Sequence, residues 1–351
     1  MELEKNLIFL ITFSLVSLVV AFLTARYSKF FFSGSLLDND FLKPQAFHKE
    51  PAARIGGLLI LFLFVFFLLI YFYQSGIFLK DYFTISLLLF FIGFLDDLKI
   101  RISPVIRLFL MLICLLACIN IFSIQINISG LSILDFWLTN NLFQICFVLL
   151  SFLFIINGAN LIDGFNGLLT IHFLIINSVF LVIEMSNPNQ SILIILIIQT
   201  IIATSFLLFN FPKAKIFLGD SGSYILGGLI CLNTINVYKN NPDITPFFFS
   251  GILFYLFFEV FFSFIRKAYS KLSPVRPDKN HMHMLLYKYI VSFQISKDSN
   301  YLTSIMLNCV YLIFILPIIL LKQNTVFCRY YFFFLIIIYV ISYFKLKKLT
   351  T

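Results

Sequence analysis

Five short segments hold most of the side chains in this chain that could do chemistry. Asp96 and Asp97 stand side by side in Phe94-Leu-Asp-Asp-Leu-Lys. Asn157, Asn160, Asp163 and Asn166 share the run Asn157-Gly-Ala-Asn-Leu-Ile-Asp-Gly-Phe-Asn-Gly-Leu168. Asp220 lies in Phe217-Leu-Gly-Asp-Ser-Gly-Ser223, and His281 and His283 lie in Asn280-His-Met-His-Met284. Lys49 and Arg54 lie in His48-Lys-Glu-Pro-Ala-Ala-Arg-Ile-Gly-Gly57. Four carboxylates and two imidazoles near one plane repel one another or lose their water unless they bind something. A divalent cation with phosphate oxygens meets that need. Hard oxygen ligands suit Mg²⁺, which one or two carboxylates hold together with substrate phosphates. Glycines at 56, 57, 158, 164, 167, 219 and 222 stand beside these groups, where they let backbone N–H groups approach a ligand. The stretch from Gly219 leads into a helix, whose N-terminus attracts phosphate. Lys49, Arg54, Lys99 and Arg101 would neutralise a diphosphate.

The elements that must position these groups are membrane helices. Of 351 residues, 61% are hydrophobic, 19% aromatic and 12% charged, where a soluble domain carries about 25% charged residues. So little charge excludes a soluble enzyme, a disordered protein and a nucleic-acid binder, despite a formal charge of +9. The expectation is an all-α, polytopic membrane helix bundle, with residues 1–351 as one integral-membrane domain. A crossing needs about 20 mostly apolar residues. About eleven stretches answer to that: 7–26, 57–73, 82–96, 104–122, 142–159, 167–185, 191–209, 222–238, 246–265, 302–321 and 330–346. The six cysteines lie mostly in apolar runs without a CxxC and read as small buried hydrophobes.

Met1 to Asn6 carries two Glu and one Lys. That is no basic leader, so the first stretch reads as a permanent helix that starts outside. The loops then alternate between two sides. Lys5, Lys80, Lys239, Lys322 and Arg329 fall on one side, and the other 20 of the 25 Lys and Arg fall opposite. The richer side is the cytoplasm. The N-terminus is then outside and the C-terminus cytoplasmic, with Lys345, Lys347 and Lys348 near it. All five segments fall on the cytoplasmic face. On the outer side, residues 124–128 alternate in polarity, and Ser129-Gly130 would turn a small hairpin.

Each segment alone has a plainer reading. Asp96 and Asp97 would mark a helix end, and Asp163 with the asparagines would cap the next helix. Gly219-Asp-Ser-Gly is a common turn, and a histidine pair in a basic loop is surface decoration. His172 reads as a satisfied residue of the bundle. Glu259, in mid-crossing, is either an interior hydrogen-bonding partner or a lipid-pocket residue. Five independent plain features have no reason to share one face, and that coincidence favours a site.

At these motifs the chain resembles the polyprenyl-phosphate N-acetylhexosamine-1-phosphate transferases (glycosyltransferase family 4) over about residues 45–290. Pro51-Ala-Ala-Arg-Ile-Gly-Gly57 resembles the PxARIGG signature of the branch that acts on undecaprenyl phosphate with GlcNAc-1-phosphate. The branch that makes lipid I reads PTMGG instead. Gly93-Phe-Leu-Asp-Asp97 matches the aspartate pair, Asn157 to Leu168 matches NxxNxxDGxDGL, and Asn210 to Ser223 is the most specific stretch. Ser273 to His283 resembles the histidine motif. Two positions depart: Asn166 replaces the second aspartate of DGxDG, and Met284 replaces the last histidine of HxHH.

The resemblance implies transfer of a HexNAc-1-phosphate, GlcNAc-1-phosphate first, from a UDP-sugar to undecaprenyl phosphate. The products are an undecaprenyl-diphospho-sugar and UMP, and the step initiates a cell-surface glycan such as O-antigen. The place is the cytoplasmic face of the bacterial cytoplasmic (inner) membrane. By the same carry-over Asp220 binds Mg²⁺, or Mn²⁺ in its stead, and Asp96, Asp97 and Asp163 are the catalytic carboxylates. Asn157, Asn160 and Asn166 bind substrate, with Asn160 and Asp163 toward the uridine. Lys49 and Arg54 face phosphate, and His281 and His283 touch the diphosphate or close the loop. A homodimer is also implied. The rivals are a lipid or sugar transporter or flippase, which would string polar residues along a path with broken helices at mid-membrane, and an inactive homologue, raised by Asn166 and Met284.

Overall fold

A computed structural model describes residues 2–38, 51–100, 102–271, 273, 278–294 and 299–350. These residues form an all-α polytopic bundle. Its helices are α1 (Glu2–Tyr27), α2 (Gly56–Ser75), α3 (Lys80–Asp97), α4 (Pro104–Ile121), α5 (Ser132–Leu138), α6 (Asn141–Ile162) and α7 (Leu168–Glu184). They continue as α8 (Gln190–Asn210), α9 (Gly219–Asn240), α10 (Pro246–Ile252), α11 (Phe254–Tyr269), α12 (Met282–Ser292), α13 (Ser299–Leu320) and α14 (Thr325–Thr350). Polar caps start several of the apolar helices. Ser103 Oγ accepts from Ile106 N ahead of Pro104 in α4, Asn140 Oδ1 accepts from Phe143 N in α6, and Asn189 Oδ1 accepts from Ser191 N and Ile192 N in α8.

The core is organised around α9, which packs against α2, α3, α6 and α7 and is buried on nearly every side. A helix in that place need not be uniformly apolar, provided its polar groups find partners. Asn233 on α9 accepts from Tyr82 Oη (2.9 Å) and donates to Gln199 Oε1 (2.6 Å) and Asn177 Oδ1 (3.1 Å). His172 is buried as well, with Nδ1 3.2 Å from Asn308 Oδ1, but its Nε2 has no hydrogen-bond partner among the described residues, so its reading as a satisfied bundle residue holds for one edge of the ring only. Close approach of α3 to α9 depends on Gly93, where a Cβ would lie 2.4 Å from Ser221 N.

All eleven stretches read as crossings are helical in the structure. Seven of them (in α1, α2, α4, α6, α8, α13 and α14) are long and apolar enough to cross a membrane. An eighth is the pair α10 and α11, and it corrects the sequence reading. The stretch 246–265 is not one helix but two, bent by 69°. Leu253 closes α10 and opens α11, and Tyr311 Oη donates to the Ile252 carbonyl at the break (2.6 Å). A carbonyl freed inside a membrane needs such a donor. The remaining three stretches correspond to α3, α7 and α9. Of these α7 is short at 17 residues, and α3 and α9 carry polar groups that the bundle interior absorbs.

Two further expectations change. Residues 124–130 form no hairpin; instead Asp135 in the first turn of α5 accepts from both N and Oγ of Ser129, folding that segment onto a short helix. Two of the cysteines, Cys146 and Cys309, are exposed on the bundle surface rather than buried.

The sequence also gave no signal for a small sheet of β1 (Leu37–Asp38), β2 (Ala52–Arg54) and β3 (Ile216–Phe217). Its order is β1-β2-β3, antiparallel and then parallel, with Leu37 opposite Ala53 and Arg54 opposite Phe217. Because β2 leads into α2 and β3 into α9, the sheet sets Arg54 beside the start of α9. Gly57 N donates to Leu218 O (2.9 Å) and ties the two helix starts together.

Candidate active site

The end of α3 meets the beginning of α9. Asp97, the last residue of α3, is 1% exposed. Its Oδ1 accepts from Asp220 N (2.9 Å), and its Oδ2 accepts from Ser221 N (3.0 Å) and Ser221 Oγ (2.6 Å). Carboxylate oxygens so placed satisfy the unpaired N–H groups of a helix start. Gly219 turns the chain there at φ +77°, and a Cβ on it would sit 2.6 Å from Asp97 Oδ2. This revises the expectation that the start of α9 would receive phosphate: Asp97 already takes the N–H groups of Asp220 and Ser221.

With Asp220 N held, its side chain turns to Arg107 on α4. Arg107 Nη1 lies 2.5 Å from Asp220 Oδ2 and 3.1 Å from Asp96 Oδ2. One cationic nitrogen thus bridges the two carboxylates, one from each helix. Sequence reasoning missed Arg107. A signal was present: an arginine in the first turn of an otherwise apolar helix opposes the helix dipole and calls for acidic company. Arg54 completes the basic side. Its Nε and Nη2 donate to Asp38 Oδ2 (3.0 and 2.6 Å), and Nη1 lies 4.0 Å from Asp97 Oδ1.

Asp163 caps the C-terminal end of α6 and makes no side-chain hydrogen bond among the described residues. Burial first, then the charge of Asp220, holds its carboxyl well above the usual carboxylate range, against the opposing pull of Arg54. Beyond Asp163 the chain meets the histidine segment: a Cβ on Gly164 would lie 3.9 Å from His283 Nε2. His283 is fully buried, and neither ring nitrogen has a hydrogen-bond partner among the described residues. Its ring stacks on that of His281 at 5.6 Å and 4°.

The other expected residues divide. Asn160 faces the start of α9, where Nδ2 donates to Ser223 Oγ (2.9 Å). Asn157 donates to its own helix at Leu153 O. Asn166 holds its loop, with its N donating to Asn300 Oδ1 and its Nδ2 to Pro212 O. Lys99 donates to Leu37 O and braces β1. Lys49 and Arg101 lie outside the described residues. Glu259 resolves to the interior-partner reading, since its carboxylate accepts from His281 Nδ1, Met282 N and Tyr339 Oη.

Among the described residues no three His, Cys, Asp or Glu side chains already surround a common point. Asp96 and Asp220 nevertheless fit a cation between them, because they share one guanidinium nitrogen now. Two carboxylates, completed by the phosphate oxygens of a substrate, form a donor set of the kind Mg²⁺ takes. Asp97 is engaged by α9 through both oxygens, once at Oδ1 and twice at Oδ2.

Comparison with known proteins bears on the family of the chain. The family model of glycosyl transferase family 4 matches residues 80–238, which contain Asp96, Asp97, Arg107, Asp163 and Asp220. The chain is 26% identical over 274 residues to the undecaprenyl-phosphate alpha-N-acetylglucosaminyl 1-phosphate transferase of Thermotoga maritima, covering 78% of this chain and 80% of that one. It is 31% identical over 176 residues to a probable undecaprenyl-phosphate N-acetylglucosaminyl 1-phosphate transferase of Bacillus subtilis, covering 49% and 46%. It is 30% identical over 231 residues to the phospho-N-acetylmuramoyl-pentapeptide-transferase of Dictyoglomus turgidum, covering 62% and 70%. With the aspartates of its motifs gathered at one end of a helix bundle and a 30%-identical relative matched over 70% of its length, the chain belongs to glycosyl transferase family 4.

Proposed function

We propose that this protein transfers a HexNAc-1-phosphate, GlcNAc-1-phosphate foremost, from a UDP-sugar to undecaprenyl phosphate, releasing UMP. The observation that carries the reading is the bridge from Asp96 through Arg107 to Asp220, with Asp163 and Arg54 in the same electrostatic neighbourhood. An oxygen of the lipid phosphate attacks the β-phosphorus of the UDP-sugar. The bond from that phosphorus to the oxygen shared with the α-phosphate breaks, and its electron pair leaves with UMP. A phosphomonoester is already largely ionised at neutral pH (second pKa about 6), so no strong base is required. The work of the chain is positioning and charge neutralisation. Arg107 and Arg54 face the phosphates, Asp97 fixes the start of α9 so that Asp220 points at them, and Asn160 orders the nucleotide side. His281 and His283 close the site over Asp163. Bound Mg²⁺ would be held by Asp220 and Asp96 and would supply neutralisation of the diphosphate charge.

The same reading gives eleven crossings, with the N-terminus outside, the C-terminus cytoplasmic and the site at the cytoplasmic rim of the bacterial inner membrane. There the acceptor arrives from the bilayer and the nucleotide from the cytoplasm. Arg54 in Pro51-Ala-Ala-Arg favours GlcNAc over a lipid I precursor. The bend at Leu253 is a feature that transporters share, but the carboxylates collect at one end of the bundle rather than along a path.

The test is direct. Purified protein is given undecaprenyl phosphate, UDP-GlcNAc and Mg²⁺, and UMP is measured. UMP should appear only when all three are present. Absence of UMP with every UDP-N-acetylhexosamine tried would overturn the reading.

A further inference from the structure

Glu259 stands in an apolar helix, yet it is 1% exposed and fully engaged. Its Oε1 accepts from His281 Nδ1 (3.1 Å) and Met282 N (3.1 Å), and its Oε2 accepts from Tyr339 Oη on α14 (2.6 Å). Because a carboxylate only accepts, the proton of His281 on this side sits at Nδ1. The ring therefore cannot rotate away without stranding a buried charge, which costs more than losing a neutral hydrogen bond. The other edge of His281 lies 3.5 Å from Asp278 Oδ1. His281 in turn forms the stacking wall for His283, whose Nε2 comes up to Gly164 next to Asp163. A second tie from the same helix points the same way: Tyr343 Oη donates to the carbonyl of Asn280 (3.0 Å). The histidine segment is thus clamped from α11 and α14, two helices that carry none of the carboxylates at the α3–α9 junction.

We propose that Glu259 and Tyr339 are positioning residues for the transfer. They touch no substrate, and they hold His281 so that His283 presents its ring to the Asp163-Gly164 segment. The proposal rests on the transferase reading for its kinetic consequence, but its structural content stands apart from it.

The experiment compares the full-length wild type with Glu259→Ala, Glu259→Gln and Tyr339→Phe. Two readouts are used: the kcat and KM of UMP release, and the rate at which diethyl pyrocarbonate modifies His281 and His283, mapped by mass spectrometry. Glu259→Ala should lower kcat by about tenfold to a hundredfold, as a misplaced group does, while KM for both substrates stays within about twofold. It should also make both histidines react quickly. Glu259→Gln keeps an acceptor oxygen and should recover most of the rate and of the protection. Tyr339→Phe removes one hydroxyl and should fall between, and it serves if Glu259→Ala does not fold. Wild-type kcat and wild-type histidine protection in both Glu259→Ala and Tyr339→Phe would sink the proposal. So would a loss of rate with the histidines still protected. If the wild type releases no UMP but histidine reactivity follows the pattern above, the transferase reading falls and the positioning role stands.

Discussion

Ser221 donates its hydroxyl to Asp97 over 2.6 Å and its backbone N–H to the same oxygen over 3.0 Å. Two helices whose sequences lie more than a hundred residues apart are thereby joined end to start. The joint decides where Asp220 points.

Loss of that joint should cost both stability and activity. Hydrogen bonds to a charged group contribute about 1.5–3 kcal/mol each, and the carboxylate is buried. Asp97→Ala should lower the melting temperature in detergent clearly and abolish transfer, while Ser221→Ala should cost less on both counts. Equal stability of Asp97→Ala and wild type would show the joint to be incidental.

Arg107 competes with any cation for Asp96 and Asp220. Arg107→Gln should therefore lower the Mg²⁺ concentration needed for half-maximal binding, while turnover drops about a hundredfold because the charge proposed to face the phosphates is gone. Titration of metal binding beside steady-state kinetics checks both halves. A weakened metal affinity contradicts the bridge.

Asp220→Asn should remove metal-dependent transfer with the protein still inserted and folded. In the wild type, EDTA should stop UMP release and added Mg²⁺ should restore it. Turnover that persists in Asp220→Asn contradicts the metal role.

Gly93 permits α3 to touch α9. Gly93→Ala forces a Cβ to within 2.4 Å of backbone. Overpacking of this kind costs about 1–3 kcal/mol, and here it also shifts Asp96 and Asp97. A lower melting temperature together with reduced kcat is expected, and an unchanged melting temperature would argue that the helices part freely.

Burial holds the imidazole of His283 at about 3, below its ordinary 6.5. The unfolded chain therefore takes up a proton that the folded one refuses. The stability contributed by this residue is full above about pH 6.5 and is lost as pH falls from there toward 3. Melting temperatures followed downward from pH 7.5 should fall more steeply for the wild type than for His283→Gln. Parallel curves would place the ring in contact with water.

The sequence by itself determined the environment and the chemistry. So much apolar residue and so little charge leave a membrane bundle, and acidic, glycine-rich breaks between apolar stretches single out the segments proposed to handle phosphate. Asp96, Asp97, Asp163 and Asp220 were legible because a carboxylate at a helix end next to the bilayer is conspicuous. Tertiary structure decided how those carboxylates divide the work, because that depends on who donates to whom. Asp97 and Asp220 look alike in sequence, but one is consumed by the start of α9 and the other is left to Arg107. Arg107 looked like one more basic residue until α4 laid it across both acids. Glu259 could not be interpreted from its own helix, since its partners arrive from α12 and α14. The bend at Leu253 was also invisible, because hydropathy reports how apolar a stretch is and not whether its backbone runs straight. Local sequence fixes what each residue can do; the distances that select among those capacities arise only when remote segments pack.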